Sequence, residues 1–125
     1  MIYYCWACYA GNDRPSGVCV ECGSEIAAPV GTSYVELLLW ELGHTLPDRQ
    51  LLAAQILGQR REVAAREPLR ALAAESPDPY LAAQALHSLL ALDGTRAHRQ
   101  LLDELSKSGA VPVRAVAAAA LEEST

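Results

Sequence analysis

Two cysteine pairs constrain this chain more than any other feature. Cys5-Trp6-Ala7-Cys8 and Cys19-Val20-Glu21-Cys22 stand ten residues apart, and the chain holds 4 cysteines in all. Two intervening residues let both sulfurs of a pair face one point while backbone amides turn toward them. Two such pairs complete a tetrahedron around Zn²⁺. Two disulfides, or a redox-active Cys-x-x-Cys pair, use the same residues, and the compartment decides between them. No basic leader or apolar signal core precedes Cys5, and no run approaches the ~20 apolar residues of a membrane helix. We therefore expect a cytoplasmic, reducing setting in which clustered cysteines hold metal as thiolates. Zn²⁺ on Cys5, Cys8, Cys19 and Cys22 is the expected cofactor site. Four thiolates leave no position for water or substrate, so the metal is read as structural.

The pairs lie in a loop-rich stretch, residues 3–28. Gly11-Asn12 and Pro15-Ser16-Gly17 are turn signals, and Gly23 follows the last cysteine, where a knuckle needs positive φ. Short extended pieces at Tyr3-Tyr4 and Val18-Cys19 are placed to pair beside the metal. A segment this small cannot bury enough apolar surface to offset its chain entropy, so metal binding must supply much of its folding free energy. Residues 1–30 are read as one unit and 33–125 as a second, joined by Pro29-Val30-Gly31-Thr32. The first unit resembles the small zinc-ribbon family with the pattern C-x2-C-G-x-x-N…C-x2-C-G-x-x-Φ. Cys5-x2-Cys8, Asn12, Cys19-x2-Cys22-Gly23 and Ile26 match it. Tyr9 stands where that family has Gly, which predicts a differently shaped first knuckle.

From Ser33 the apolar spacing changes to the helical period. Ser33 with Glu36 three residues on is a capping-box start for a helix over about 34–42, stopped by Gly43. Pro47, after Thr45, opens a helix to about Leu57 with Gly58 as its stop. Residues 61–75 form a third helix, kinked by Pro68 or begun only near Glu67. Asp78 caps and Pro79 begins a helix to about Leu92. Thr95 caps one to about Ser108, and Pro112 opens the last, to about Glu123. No strand signal follows residue 33, so the second unit is all-α with about six helices. Leu51–Leu57 lines up with Tyr80–Leu86 at a spacing of 29 residues, and Val113–Leu121 is a third copy 35 residues later. Repeats of this length, one helix pair per unit, mark an α-solenoid. The copies resemble HEAT repeats of the short class first associated with phycobilin lyases, which read D-P-x-V-R-x-A-A-A-x-A-L. Pro112-Val113-Arg114 through Leu121 matches best, Asp78-Pro79 through Leu86 in part, and Asp48 through Leu57 more loosely. The resemblance implies a short HEAT-like solenoid, mostly a binding platform.

Net charge is −5, with acids in excess in both units. A nucleic-acid binder shows a basic footprint, so that class is disfavoured. No Gly-rich phosphate loop, Ser-His-Asp set or paired-carboxylate motif occurs. His44, His87 and His98 stand apart from the His-Glu pairs of HEAT-type di-iron enzymes. His44 is expected at a helix C-terminus, where a cation is favoured, and His87 as a core or rim residue. The chain is therefore read as no enzyme but a protein-binding adaptor or scaffold with structural zinc. The other readings are a nucleic-acid-associated zinc ribbon using Arg14, Arg60, Arg61, Arg66 and Arg70, and a thiol redox or zinc-release switch. For a partner protein, Glu62, Arg66 and Arg70 share one helical face at i, i+4 and i+8, as do Arg99, Asp103 and Lys107 on a second helix. Such charged faces are also what any surface helix shows. Trp40 and Leu37 are placed to pack under Trp6 or Tyr4. The last helix is polar only at Arg114 up to Leu121 and offers Val116 and Ala119 for homo-oligomerisation.

Overall fold

The first helix begins where its orphan amides find partners. Ser33 Oγ accepts from the Glu36 amide at 3.1 Å and Glu36 Oε1 accepts from the Ser33 amide at 3.3 Å, a complete capping box. It opens α1 (Tyr34–Leu42). The computed structural model describes residues 1–123 and continues with α2 (Pro47–Arg60), α3 (Arg66–Glu75), α4 (Pro79–Asp93), α5 (Arg99–Ser108) and α6 (Val111–Glu123). Asp78 Oδ1 accepts from the amides of Tyr80 and Leu81 at 3.0 and 3.3 Å, ahead of Pro79. Thr95 makes no cap bond, because a 3-10 turn (Arg96–His98) first carries the chain round into α5. A second such turn (Val63–Ala65) leads into α3. Pro68 falls in the first turn of α3, where an amide has no helical partner, so the helix is unbroken. Glu62 lies outside α3, and the expected Glu62–Arg66–Arg70 row on one helix does not form.

One stop signal misleads. The local rule ends α2 at Gly58, yet the helix runs through it to Arg60 and is capped by Arg61 in a left-handed conformation, φ 53°. Gly58 is instead a contact point. A Cβ there would stand 2.6 Å from the Cβ of Ser88 and 2.8 Å from its Cα. Ser88 Oγ donates to the Ala54 carbonyl at 2.7 Å and accepts from Gln84 Nε2 at 3.1 Å. The missing side chain lets α2 and α4 approach to backbone contact, and the interhelical bond satisfies a buried hydroxyl.

α2 packs on α4 and α4 on α6, the helices that carry the three copies, while α1, α3 and α5 pack on α2, α4 and α6 in turn. Leu57, Leu69, Leu86, Leu89 and Leu102 are fully buried among them, each contributing about 2 kcal/mol relative to exposure. The small side chains of Ala53, Ala54, Ala82 and Ala85 keep the spacing close. Val116 is half-buried against this core, because α6 lies on both α4 and α5, whereas Ala119 is exposed. The two residues read together as a self-association face therefore do not share one.

In the first unit β1 (Tyr3–Tyr4) pairs antiparallel with β2 (Gly11–Asn12), Tyr3 opposite Asn12. Val18 forms its single bridge with Glu25 and not with β1. Among the described residues no helix is long and apolar enough to cross a membrane.

Candidate metal centre

Both cysteine pairs fold into the same turn. In the first, the Tyr9 amide donates to the Cys5 carbonyl at 2.8 Å and the Cys5 amide to the Ala10 carbonyl at 2.9 Å. In the second, Gly23 donates to Cys19 at 3.1 Å and Cys19 to Ser24 at 2.8 Å. The residue after each second cysteine is left-handed, Tyr9 at φ 67° and Gly23 at φ 77°. The resemblance predicts a different first knuckle, but the backbone is the same in both. Tyr9 adopts the glycine conformation at a cost of about 1–2 kcal/mol.

The four Sγ atoms lie within 4.8 Å of one another. Cys5 and Cys22 are 3.7 Å apart, as are Cys8 and Cys19. Disulfide sulfurs would stand about 2.05 Å apart. Sulfurs about 2.3 Å from a central ion form a tetrahedron with edges of about 3.8 Å, so the set is spaced to hold a metal ion. Amides surround it. The Glu21 amide donates to Cys19 Sγ at 3.4 Å, and Asn12 Nδ2 reaches the same sulfur at 3.6 Å. Asn12 is buried and ties the knuckles together, its Nδ2 also donating to the Ala10 carbonyl at 3.1 Å and its Oδ1 accepting from the Val20 amide at 3.2 Å. Ile26 closes a small core over Cys5 and Cys19.

Amides aimed at a sulfur favour its anion. Those of Cys22 and Glu21 bring Cys19 down to about 6. The Ser24 amide likewise lowers Cys22. Cys8 is pushed up to about 12: the Ala10 amide favours its anion, but desolvation and the hydrogen bonds with the other three sulfurs outweigh it. Four sulfurs this close cannot all be anionic without a cation among them, and a divalent metal is the cation this donor set fits.

The first knuckle is also the joint to the helices. The Trp6 ring stacks on Trp40 of α1 with centroids 5.1 Å apart, and Tyr9 stacks on Trp40 at 4.8 Å. Trp40 Nε1 donates to the Trp6 carbonyl at 2.6 Å, and the Tyr9 hydroxyl to the Trp40 carbonyl at 2.8 Å. Trp40 thus packs on the metal unit as the sequence predicts, while Leu37 is partly exposed beside it. His44, buried just past α1, meets Tyr4 and Trp40 edge to face at 4.6 and 5.3 Å. Its Nδ1 accepts from the Leu46 amide at 3.1 Å, which puts the proton on Nε2, an atom without a hydrogen-bond partner. His44 is therefore not the helix-end cation that its position implies. Burial holds its pKa below the ordinary value, against the opposing pull of Glu41. The joint had a visible signal in the sequence: Trp6 and Tyr9 crowd the first knuckle, where the second carries Val20 and Gly23.

Two of the residues expected to meet a partner are engaged internally. Arg66 makes two hydrogen bonds of 2.8 Å to the carboxylate of Asp93, the last residue of α4. Arg70 donates to His98 Nδ1 at 2.9 Å, and His98 Nε2 meets Asp93 Oδ2 at 2.7 Å. A guanidinium only donates, so Nδ1 accepts and the ring proton is on Nε2, facing the carboxylate. The Arg66 bonds hold Asp93 down to about 2, with His98 assisting against burial. This clamp joins α3, the end of α4 and the turn before α5. Asp93 and His98 carry no motif, and only the 3-10 turn brings them together. Glu62 pairs with Arg60 at 3.1 Å. Asp103 and Lys107 pair at 3.3 Å on the exposed face of α5, and Arg99 lines a shallow hollow there with Gln100, Asp103 and Leu121. His87 is exposed.

Comparison with known protein families, curated proteins and solved structures gives no match. The functional reading therefore rests on this geometry.

Proposed function

We propose that the chain is a non-catalytic adaptor in which a four-cysteine zinc ribbon caps a short HEAT-like α-solenoid that binds another protein. The observation that carries this reading is the closed sulfur cluster fastened to α1 through the Trp6–Trp40 stack. Four thiolates saturate a tetrahedral Zn²⁺, so the ion shapes the knuckles and activates no water. The stack makes the ribbon a terminal cover for α1. The solenoid reading is supported by the hairpins α1/α2, α3/α4 and α5/α6, with α2, α4 and α6 neighbours in series. We assign partner binding to the polar sides of α3 and α5. There Arg66 and Arg70 are held rigid by Asp93 and His98, and Arg99, Asp103 and Lys107 stand nearby in sequence on α5. A zinc-release switch is the second reading, favoured by the exposure of Cys22 to oxidants.

Native mass spectrometry of protein purified without added metal is expected to give one zinc per chain. The tagged Arg99→Glu/Lys107→Glu variant, expressed in the source cells, is expected to lose a protein that the parent co-purifies while keeping zinc and helical circular dichroism. Identical co-purifying sets would remove the assigned surface, and a chain carrying two disulfides would remove the zinc. Zinc release by stoichiometric peroxide, ahead of any helix loss, would favour the switch.

A further inference from the structure

We infer that the helices set how tightly the first unit holds its metal, and that Tyr9 carries the coupling. The inference rests on the four-cysteine zinc reading and is independent of the partner surface on α3 and α5. Trp6 lies between Cys5 and Cys8, Tyr9 follows Cys8 and Tyr4 precedes Cys5. Among the described residues, these three make the hydrogen bonds and ring contacts that reach the helices. They meet Trp40 and His44, and the Arg49 guanidinium stands 4.8 Å from the centre of the Tyr4 ring. Val20, Glu21 and Gly23 of the second knuckle are exposed. The joint is therefore built on the half of the cluster that Cys5 and Cys8 close. It also bridges two separate cores. Cys5, Cys19 and Ile26 form one, the helices form the other, and Trp40 lies in neither. While metal is bound, docking can be lost with both cores intact.

Metal and dock meet in one backbone angle. The knuckle around Cys5 and Cys8 holds Tyr9 at φ 67°, and this conformation lays its ring on Trp40 and its hydroxyl on the Trp40 carbonyl. A left-handed backbone disfavours every residue with a Cβ and spares glycine. Docked, Tyr9 offsets that cost with the stack and the hydroxyl bond. Undocked, the knuckle must bear it unaided. The first unit depends on metal for much of its folding free energy. Docking therefore acts chiefly on the metal-bound form and adds to metal affinity. By the same linkage, metal favours docking by the factor by which docking favours metal. The change Tyr9→Gly breaks this dependence, because its turn costs little whether or not α1 lies alongside. Its effect on affinity should then change sign with the state of the joint.

The test is competition for Zn²⁺ between the reduced full chain and a chromophoric chelator, with circular dichroism on the same samples. Trp40→Ala removes the ring on which Trp6 and Tyr9 stack. It is expected to weaken zinc about 5- to 150-fold, with one zinc per chain still bound at saturation and helical dichroism unchanged. Trp40→Leu, which keeps α1 apolar, should do the same. Tyr9→Gly alone should also weaken zinc. Added to Trp40→Ala, it should instead tighten zinc about 3- to 10-fold, the relief of a left-handed side chain less the extra chain entropy of glycine. Trp40 variants that hold zinc as tightly as the parent overturn the inference. So does a Tyr9→Gly change that alters affinity by the same factor in both backgrounds. A parent that binds no zinc overturns the inference together with the zinc reading, whereas the first two failures leave that reading standing.

Discussion

The first and second cysteine knuckles run through matching hydrogen bonds, yet one has Tyr9 at its left-handed position and the other Gly23. Around Gly23 an added Cβ would meet nothing within 4 Å. That turn faces solvent, and glycine is the cheap answer to positive φ. Tyr9 is placed against Trp40 and over Gly43, where a Cβ would come within 2.6 Å of its hydroxyl. The stack contributes about 0.5–1.5 kcal/mol beyond area burial and the hydroxyl bond about 1 kcal/mol. Together they offset the about 1–2 kcal/mol cost of a left-handed tyrosine. The residue at this turn is thus set by its neighbour: free in solution it is Gly, at a joint it is an aromatic that bears strain.

The largest effect should erase the difference between the knuckles. Cys5→Ser in the buried position and Cys22→Ser in the exposed one are both expected to abolish metal binding at neutral pH, because ligand number and not burial closes the tetrahedron. The free energy at stake is about 10–16 kcal/mol in zinc-finger peptides, and metal content against helical circular dichroism reads it. A Cys22→Ser protein that keeps its ion would show that the knuckles are unequal ligands. Next, Trp40→Ala removes the joint alone, costing about 3–5 kcal/mol while the metal stays bound, as seen by calorimetry with metal analysis. Gly23→Ala should cost about 1–2 kcal/mol without changing the Trp6–Trp40 packing reported by near-ultraviolet dichroism. Tyr9→Phe keeps the stack and the strain and loses only the hydroxyl bond, about 1 kcal/mol.

The smallest effect is one of pH. Burial keeps His44 neutral in the docked state, whereas a free imidazole takes a proton near about 6.5. The docked state then binds fewer protons, so docking is at full strength above that value and weakens as pH falls below it. Near-ultraviolet dichroism should fall between about pH 7.5 and about pH 5.5 at constant metal content, and His44→Phe should flatten the slope. A parent with no slope would remove His44 from the joint's energetics.

What the sequence made legible was local. Cysteine spacing, the Ser33–Glu36 box, the Asp78-Pro79 start and positive φ at Gly23 depend on residues within a few positions of each other, and all appear as read. What escaped depends on which helix lies alongside. Gly58 carries the local mark of a stop, and only Ser88 of α4 makes it a contact. Arg66 and Arg70 carry the mark of a solvated face, and only Asp93 and His98 make them a clamp. Val116 belongs to an alanine-rich run without a polar side, and only the combined footprint of α4 and α5 says which way it turns. The Trp40 joint was half legible: an apolar α1 needed a cover, but nothing local marked Tyr9 as able to hold a left-handed turn.

The contact between Gly58 and Ser88 has a consequence for how this array can change. The register of Gly58 in the first copy falls on His87 in the second and on Glu122 in the third. Duplicating the second copy in place of the first would drive an imidazole into a crossing where two backbones now touch. The copies look alike on paper, yet each is cut to its own place: a helix that is to lie on α4 as α2 does needs a glycine at that crossing, whereas α4 meets α6 with His87 there.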